Sequence, residues 1–188
     1  MTATLRRQAL LARRSLSDAE RNDAEQHICD RVVHSAAFWS ATHIACYFAM
    51  ADEVDPTSII KRAWRAKKRI FCPVMRKNGE MDFYSVSPRS RLLQNKYGIW
   101  EPIDGEKIDA KSLDLVCSPL VAFDHHRHRI GMGGGYYDRY FAFLRSRKQW
   151  VYPKLMGLAY ECQKIEEIRP NPWDIRLYSV VTEQKIYR

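Results

Sequence analysis

No two of the five cysteines are close enough in sequence to form a CxxC pair. They are Cys29, Cys46, Cys72, Cys117 and Cys162, and their odd number excludes a fully paired disulfide framework. Structural zinc sites usually take their ligands in closely spaced pairs, so zinc binding is not expected either. Free, mostly buried thiols are typical of a reducing compartment, and the expected location is therefore the cytoplasm.

The sequence also lacks any apolar run near the roughly 18 residues that a membrane-spanning helix requires. Its first residues, MTATLRRQALLARRSLS, contain no apolar signal core, so we expect no membrane partner and no secretion signal. The arginines of this segment suit the basic face of a first helix better than a transit peptide.

Basic residues are numerous but form no continuous stripe. The net charge is +9, and the lysines and arginines are scattered along the 188 residues. Such a balance favours anionic partners, including phosphates and polycarboxylates. Nucleic-acid binding usually combines a basic groove with stacking aromatic residues, so nucleic acid is not the expected partner.

Short apolar runs alternate along the chain with segments of helical pattern. We predict strands at 43–50, 69–74, 81–86, 113–123, 154–160 and 179–183. We predict helices at 4–15, from 17–20 to about Trp39, at 57–67, and from the glycine-rich stretch to about Arg147, with 87–110 irregular. This alternation is typical of an α/β protein, here a three-layer Rossmann-like fold with a mainly parallel central sheet flanked by helices. The length suits a single domain, 1–188.

Two loops that follow predicted strands carry unusual chemistry. They are ADEVD (51–55) and FDHHRHRIGMGGGYYD (123–138). Ligands of parallel sheets bind beyond the carboxyl ends of the strands, so both loops are candidate parts of one site.

Glycine is scarce overall but concentrated in the second loop. The chain has eight glycines, and four of them lie within Gly131–Gly135. The stretch fits neither the GxxxxGK[ST] phosphate loop nor the GxGxxG dinucleotide fingerprint. Glycines before a helix can expose backbone N–H groups to an anion, with Arg129 and Arg139 adding charge and Asp138 able to bind Mg²⁺. A tight turn with packed tyrosines is the alternative interpretation.

The residues around these glycines resemble a known family. GMGGGYYDRYF (131–141), preceded by PLVAFD and Arg129-Ile130, is similar to the pattern FDxxGxRLGxGxGYYDRY of the 5-formyltetrahydrofolate cyclo-ligases. FAMADEVD (48–55) and WDI (173–175) extend the resemblance over nearly the whole chain. Four positions depart from it: Thr2 replaces a usual lysine, Arg127 a glycine, Ile130 a leucine and Trp173 a common histidine.

The resemblance implies an enzyme that closes 5-formyltetrahydrofolate to 5,10-methenyltetrahydrofolate with ATP and Mg²⁺. It implies ATP binding by Thr2, Arg6, Arg129, Ile130, Gly131, Met132, Gly133, Gly134, Gly135, Tyr136 and Tyr137. It implies folate binding by Phe48, Glu53, Met132, Gly133, Gly134, Gly135 and Tyr136. Tyr136 and Arg129 would take part in catalysis, and Asp138 and Asp174 would bind the metal. The partners would be ATP, the folate and its polyglutamates, with the protein a monomer or a weak homodimer.

Each assignment has a structural alternative. Glu53 can complement the dipole of the helix that follows it. Asp138 can pair with an arginine at one-turn spacing on a helix surface. His125, His126 and His128 are better explained by a solvated loop than by a metal cluster. The rival functions are another nucleotide-dependent phosphotransferase and a non-catalytic nucleotide- or RNA-binding relative.

Overall fold

The computed structural model describes residues 2–76, 79–147 and 152–188. Its α-helices are α1 (Thr2–Arg14), α2 (Asp18–Val33), α3 (Ala36–Ser40), α4 (Thr57–Arg65) and α5 (Tyr136–Tyr140). Its strands are β1 (His43–Ala45), β2 (Arg69–Met75), β3 (Met81–Val86), β4 (Leu92–Gln94), β5 (Trp100–Pro102), β6 (Lys107–Ile108), β7 (Leu115–Pro119), β8 (Ala122–Phe123), β9 (Arg129–Ile130), β10 (Lys154–Leu158), β11 (Ser179–Val181) and β12 (Ile186–Tyr187). Short 3₁₀ helices cover Ala110–Ser112, Ala142–Ser146 and Glu161–Gln163.

The central sheet is mainly parallel, as predicted. Its eight strands lie in the order β12-β11-β10-β7-β1-β2-β3-β6. The five strands from β11 to β2 are parallel, whereas β12, β3 and β6 are added at the edges through antiparallel pairings. The strands β8 and β9 form a separate antiparallel hairpin.

Apolar side chains project from both faces of this sheet, and each face is covered by other segments of the chain, so the fold has three layers. Ile44 and Leu115 pack with the helices on one face, and Ala45 and Val116 belong to the core on the other. The first face is covered by α2, α3 and α4, and the second by the segment around α5 that includes Phe141. The predicted α/β fold class is confirmed, because continuously apolar strands are those buried on both faces.

Several predicted boundaries are confirmed in part. The capping box at the start of α2 is present, since Ser17 Oγ accepts from Glu20 N at 3.3 Å and Glu20 Oε2 accepts from Ser17 N at 2.7 Å. The helix predicted to continue to Trp39 is interrupted, because the Ser35 hydroxyl caps a new helix by accepting from Phe38 N. The strand predicted at 43–50 ends at Ala45.

Two predicted segments are wrong in their details. Residues 87–110 are not irregular throughout, since β4, β5 and β6 lie within them. These strands are two or three residues long and half-exposed, so they leave no periodic apolar pattern. The strand predicted at 113–123 is divided after Pro119, because Ala122 and Phe123 pair with β9 instead of the main sheet.

The five cysteines are free, as predicted; Cys162 is exposed and the others are buried. Within the described residues, no helix is both long and apolar enough to cross a membrane.

Replacing Gly157 with alanine is expected to destabilise the protein by about 1–3 kcal/mol through overpacking. Gly157 lies in β10, where an added Cβ would lie 2.6 Å from Leu120 Cδ2 and 2.8 Å from Leu177 Cδ1. Urea unfolding followed by circular dichroism would measure the loss. Gly131→Ala is the control, because its Cβ would meet no atom within 4 Å. Equal stability of the two variants would contradict the prediction.

Candidate active site

The glycine loop, Gly131–Gly135, connects β9 to α5 and needs glycine at three of its positions. Gly133 and Gly135 have φ of 100° and 63°, in the region that favours glycine. A Cβ on Gly134 would lie 2.7 Å from Cε2 of Tyr136. Apart from Met132, the loop therefore presents backbone without side chains, which a ligand can approach closely.

The helix that follows this loop is much shorter than predicted. α5 covers Tyr136–Tyr140, and a 3₁₀ helix at Ala142–Ser146 replaces the expected continuation. A helix of five residues has only a weak macrodipole, so the dipole contribution predicted for anion binding is small. Positive charge at the loop must come from side chains.

Arginines supply that charge in a cavity of about 520 Å³ on one side of the glycine loop. We call it the cationic cavity, and it is lined by the guanidinium-bearing residues Arg6, Arg129, Arg139, Arg145 and Arg169. Arg6 Nε donates to Gly131 O at 2.9 Å, which ties α1 to the loop. Of the predicted phosphate contacts in α1, Arg6 thus lies at the glycines, whereas the side chain of Thr2 is outside the described part of the chain.

Arg129 and Asp138 form an ion pair at the base of this cavity. Arg129 Nη2 donates to Asp138 Oδ1 at 2.6 Å, and only 7% of the arginine side chain is exposed. The same carboxylate oxygen accepts from Ile175 N at 3.0 Å, and Arg129 Nη1 donates to Ile175 O at 2.7 Å. Burial lowers the pKa of Arg129, and the charge of Asp138 opposes that effect.

The alternative interpretation, in which Asp138 pairs with an arginine, therefore describes the contact correctly but predicts the wrong sequence spacing. Asp138 does pair with an arginine, but the partner lies on β9, nine positions earlier, and not one turn away on the same helix. Asp174, the second predicted metal ligand, also lines the cationic cavity. Its Oδ2 accepts from Asn171 N at 2.7 Å.

The described residues contain no group of three or more His, Cys, Asp or Glu side chains able to hold a metal ion alone. Mg²⁺ in phosphate-transfer sites commonly takes one or two carboxylates and completes its shell with phosphate and water oxygens. Asp138 and Asp174 line the same cavity, and each keeps one carboxylate oxygen free of hydrogen bonds to described residues, so they fit that kind of site.

A second, largely apolar cavity of about 400 Å³ also borders the glycine loop. It sits at the carboxyl ends of β1, β2 and β7, where such sheets bind ligands. Its walls include the predicted folate residues Phe48, Glu53, Met132 and Tyr136, together with Tyr137. The two loops singled out in the sequence meet here, and the glycine loop is the wall that both cavities share.

Glu53 is the carboxylate that the 51–55 loop presents to the apolar cavity. Its Oε2 accepts from Met50 N at 3.1 Å, and burial raises its pKa. The proposed alternative, support of the following helix, is fulfilled by Asp55, whose Oδ1 accepts from Thr57 N at 2.9 Å. Asp52 pairs with Arg13 and Arg14. Among the three acids of this loop, Glu53 is thus the one that lines the apolar cavity.

The two tyrosines after the glycine loop pack against the core and line the apolar cavity together. Arg139 lies over the ring of Tyr136, with its Cζ 5.3 Å from the ring centroid. Burial raises the pKa of Tyr137 far above its ordinary value, with a smaller contribution from the charge of Glu53.

The histidine-rich segment, 125–128, is held by hydrogen bonds between His128 and Asp124. Among the described residues it does not form a metal cluster. His125 and His126 are exposed, as the solvated-loop interpretation predicts. His128 Nδ1 lies 2.9 Å from Oδ2 of the fully buried Asp124, which also accepts from Ile168 N at 3.0 Å. Burial opposes ionisation of Asp124, but these hydrogen bonds hold its pKa below the ordinary value.

Arg127 occupies a backbone position suited to glycine. Its φ is 69°, in the left-handed region, and its Nη1 donates to Tyr178 O at 3.1 Å. The departure from the family pattern is therefore accommodated by a strained backbone and a side-chain contact with the carboxyl-terminal segment.

Sequence reasoning missed Arg145 and Arg169 as cavity residues. Both contribute to the cationic cavity, Arg145 from the 3₁₀ helix after α5 and Arg169 from the segment before Asn171. Isolated arginines in a chain of +9 net charge carry no distinguishing signal.

Fold and site together define a class of α/β protein in which an arginine-lined cavity and a largely apolar cavity share one glycine loop. The 5-formyltetrahydrofolate cyclo-ligase family matches residues 1–183, and the chain belongs to that family. The 5-formyltetrahydrofolate cyclo-ligase of Escherichia coli K12 is 32% identical, with 93% of this chain and 96% of that protein covered. The Haemophilus influenzae cyclo-ligase is 30% identical, covering 90% of each.

Solved structures agree with this assignment. The NMR structure of Aquifex aeolicus 5,10-methenyltetrahydrofolate synthetase has a TM-score of 0.85 at 30% identity, covering 100% of this chain and 92% of that one. A 5,10-methenyltetrahydrofolate synthetase from Mycoplasma pneumoniae has a TM-score of 0.76 at 24% identity, covering 97% and 98%, and supports the fold alone.

Proposed function

We propose that this chain catalyses the ATP- and Mg²⁺-dependent closure of 5-formyltetrahydrofolate to 5,10-methenyltetrahydrofolate, releasing ADP and phosphate. One observation carries the proposal: a single glycine loop borders both a cavity lined by five arginines and a largely apolar cavity whose lining includes the carboxylate of Glu53. A triphosphate suits the first cavity and a pterin ring suits the second. Their reacting groups would then meet at a loop in which Met132 alone carries a side chain.

The reaction requires activation of a poor leaving group. The γ-phosphoryl group of ATP passes to the formyl oxygen, which gives an iminium phosphate and ADP. Nitrogen 10 of the folate attacks the same carbon and releases its proton to solvent, and the carbon–oxygen bond breaks as phosphate leaves. Catalysis of this kind depends on positioning and charge neutralisation, and no protein nucleophile is needed.

On the phosphate side, Arg6, Arg129 and the backbone from Ile130 to Tyr137 would bind the ATP phosphates, with Thr2 assisting from α1. Asp138 and Asp174 would hold Mg²⁺, which neutralises phosphate charge when bound. Because Arg129 is already paired with Asp138, it would act mainly by fixing that carboxylate and the base of the cavity.

On the folate side, Phe48 would pack on the pterin ring and Glu53 would accept its paired N–H donors. Met132, Gly133, Gly134, Gly135 and Tyr136 would position the formyl group. Desolvation strengthens hydrogen bonds between the Glu53 carboxylate and the pterin N–H donors, so a buried carboxylate suits this role better than an exposed one.

The enzyme would act in the cytoplasm as a single domain, 1–188, either as a monomer or as a weak homodimer. Folate polyglutamates are included among its substrates, because the net charge of +9 favours polycarboxylates.

The decisive experiment follows ADP release and methenyltetrahydrofolate absorbance with Mg²⁺-ATP, in the presence and absence of 5-formyltetrahydrofolate. Equal amounts of the two products, both dependent on folate and Mg²⁺, are expected. ADP released without folate would favour another phosphotransferase. Absence of both products would favour a non-catalytic relative.

Replacing Arg6 with alanine is expected to raise the KM for ATP about tenfold, because a charged contact is worth roughly 1.5–3 kcal/mol. The KM for the folate should change little. Steady-state kinetics would measure both, with Arg7→Ala as the control, since Arg7 is exposed on the same helix and does not line the cavity. Equal effects of the two variants would remove Arg6 from the site.

A further inference from the structure

Trp173 is an exposed aromatic residue held on a closed turn. Its side chain is 58% exposed. Asp174 N donates to Asn171 O at 3.0 Å, and Asp174 Oδ2 accepts from both Asn171 N at 2.7 Å and Asn171 Nδ2 at 3.1 Å. Pro172 occupies the first central position of the turn, where its fixed φ is favourable. The turn explains the proline and the two polar residues, but not an exposed indole between them.

The indole lines the cationic cavity together with the apolar side chains of Ile168 and Ala142. Among the described residues the indole makes no ring–ring or cation–π contact and its Nε1 makes no hydrogen bond, whereas Nε1 of Trp64 donates to Val86 O at 3.1 Å. The cavity therefore has two chemically different parts. The arginines and the glycine loop suit phosphates, and Trp173 offers a large unpaired aromatic face.

We propose that Trp173 stacks on the purine base of the nucleoside triphosphate whose phosphates lie at the glycine loop. This inference rests on the proposed function and assigns the base end of the same nucleotide. Stacking on an aromatic side chain tolerates any base but is stronger for a larger ring system, so purine triphosphates are the preferred class. The closed turn fixes the backbone in advance, which reduces the entropy lost on binding.

The test compares the affinities of Mg²⁺-ATP, Mg²⁺-CTP and inorganic tripolyphosphate by calorimetry. The proteins are the wild type, Trp173→Ala, Trp173→Phe and Trp39→Ala. Trp39 is the matched control, because it is 68% exposed on α3 and lines neither cavity. Tripolyphosphate carries the anionic part of the ligand without a base, so it separates stacking from phosphate binding.

Trp173→Ala is expected to weaken Mg²⁺-ATP binding about 10- to 100-fold and tripolyphosphate binding less than about twofold. Trp173→Phe should recover most of the affinity for ATP, and Trp39→Ala should match the wild type. The preference for ATP over CTP should disappear in Trp173→Ala. In turnover, the KM for ATP should rise while kcat is kept.

Unchanged ATP affinity in Trp173→Ala would overturn the inference while leaving the phosphate site in place. Equal weakening of ATP and tripolyphosphate would also overturn it, since the turn would then only shape the phosphate site. A wild type that binds neither ligand would refute the proposed function itself.

Discussion

Asp138→Asn is expected to lower turnover by at least about 100-fold and to destabilise the fold by about 2–4 kcal/mol. The variant keeps an acceptor for Ile175 N but leaves the Arg129 guanidinium, which is 7% exposed, without its counter-charge. An unpaired buried charge is the costly outcome of breaking such a pair. It also removes one of the two carboxylates proposed for Mg²⁺.

Urea unfolding and rate measurements over a range of Mg²⁺ concentrations separate the two effects. A lost metal ligand should raise the Mg²⁺ concentration needed for half-maximal rate, whereas a structural defect alone should not. Asp114→Asn is the control, because Asp114 accepts from Thr42 N and His43 N at 2.8 Å each and lines neither cavity. A near-normal rate in Asp138→Asn, with a native circular dichroism spectrum, would exclude Asp138 from the site.

Glu53→Gln is expected to lower kcat/KM for the folate about 100-fold, mainly through the KM for the folate. A carboxylate accepts two N–H donors, whereas glutamine turns one of its own donors toward the ligand. An unsatisfied buried contact with a charged group costs roughly 1.5–3 kcal/mol, which corresponds to this loss. The KM for ATP should be unaffected.

The pH dependence of folate binding provides an independent test of the role proposed for Glu53. Burial raises the pKa of Glu53 above its ordinary value of 4.5. In the wild type, folate affinity should fall as the pH falls through that raised pKa, because the protonated form cannot accept both donors. The same shift means that the folded state binds this proton more tightly than the unfolded state. The contribution of Glu53 to stability therefore decreases as the pH rises through the raised pKa.

Folate affinity of Glu53→Gln should lack this pH dependence, while Asp55→Asn should retain it. Asp55 is the neighbouring acid that caps α4 and does not line the apolar cavity. Parallel pH profiles for the wild type and Glu53→Gln would assign the titration to another group.

Local patterns were enough to predict the layers of this fold. The apolar run 69–74 becomes a strand of the parallel sheet whose residues 70–72 are fully buried, and Ser17 and Glu20 form the capping box that their spacing predicts. The early end of α5 was not predictable, because Phe141 leaves the helix to become completely buried in the second core. That outcome depends on tertiary packing, which overrides helix propensity.

The residue types of the candidate site could be predicted from the sequence, but the hydrogen bonds that join its distant segments could not. Glycines, Glu53 and Asp138 could be selected from the sequence. The link between Asp138 and Ile175, 37 positions apart, could not, nor could the contact between Arg6 and Gly131 across 125 positions. The positive φ at Arg127 was likewise not predicted from this sequence. The glycine that the family pattern has at this position is the signal that could have indicated a left-handed residue.

Under the proposed function, the glycine loop, which lines both cavities, would also couple the two ligands energetically. A chain segment with glycines at positive φ loses much conformational entropy when it is fixed, and either ligand must fix it. Whichever ligand binds first bears most of that loss, so the second binds more tightly to a loop already ordered. Linkage then requires a nucleotide analogue to strengthen folate binding by the same factor by which the folate strengthens binding of the analogue. With both proposed substrates bound against this loop, each would thus be an effector of the other.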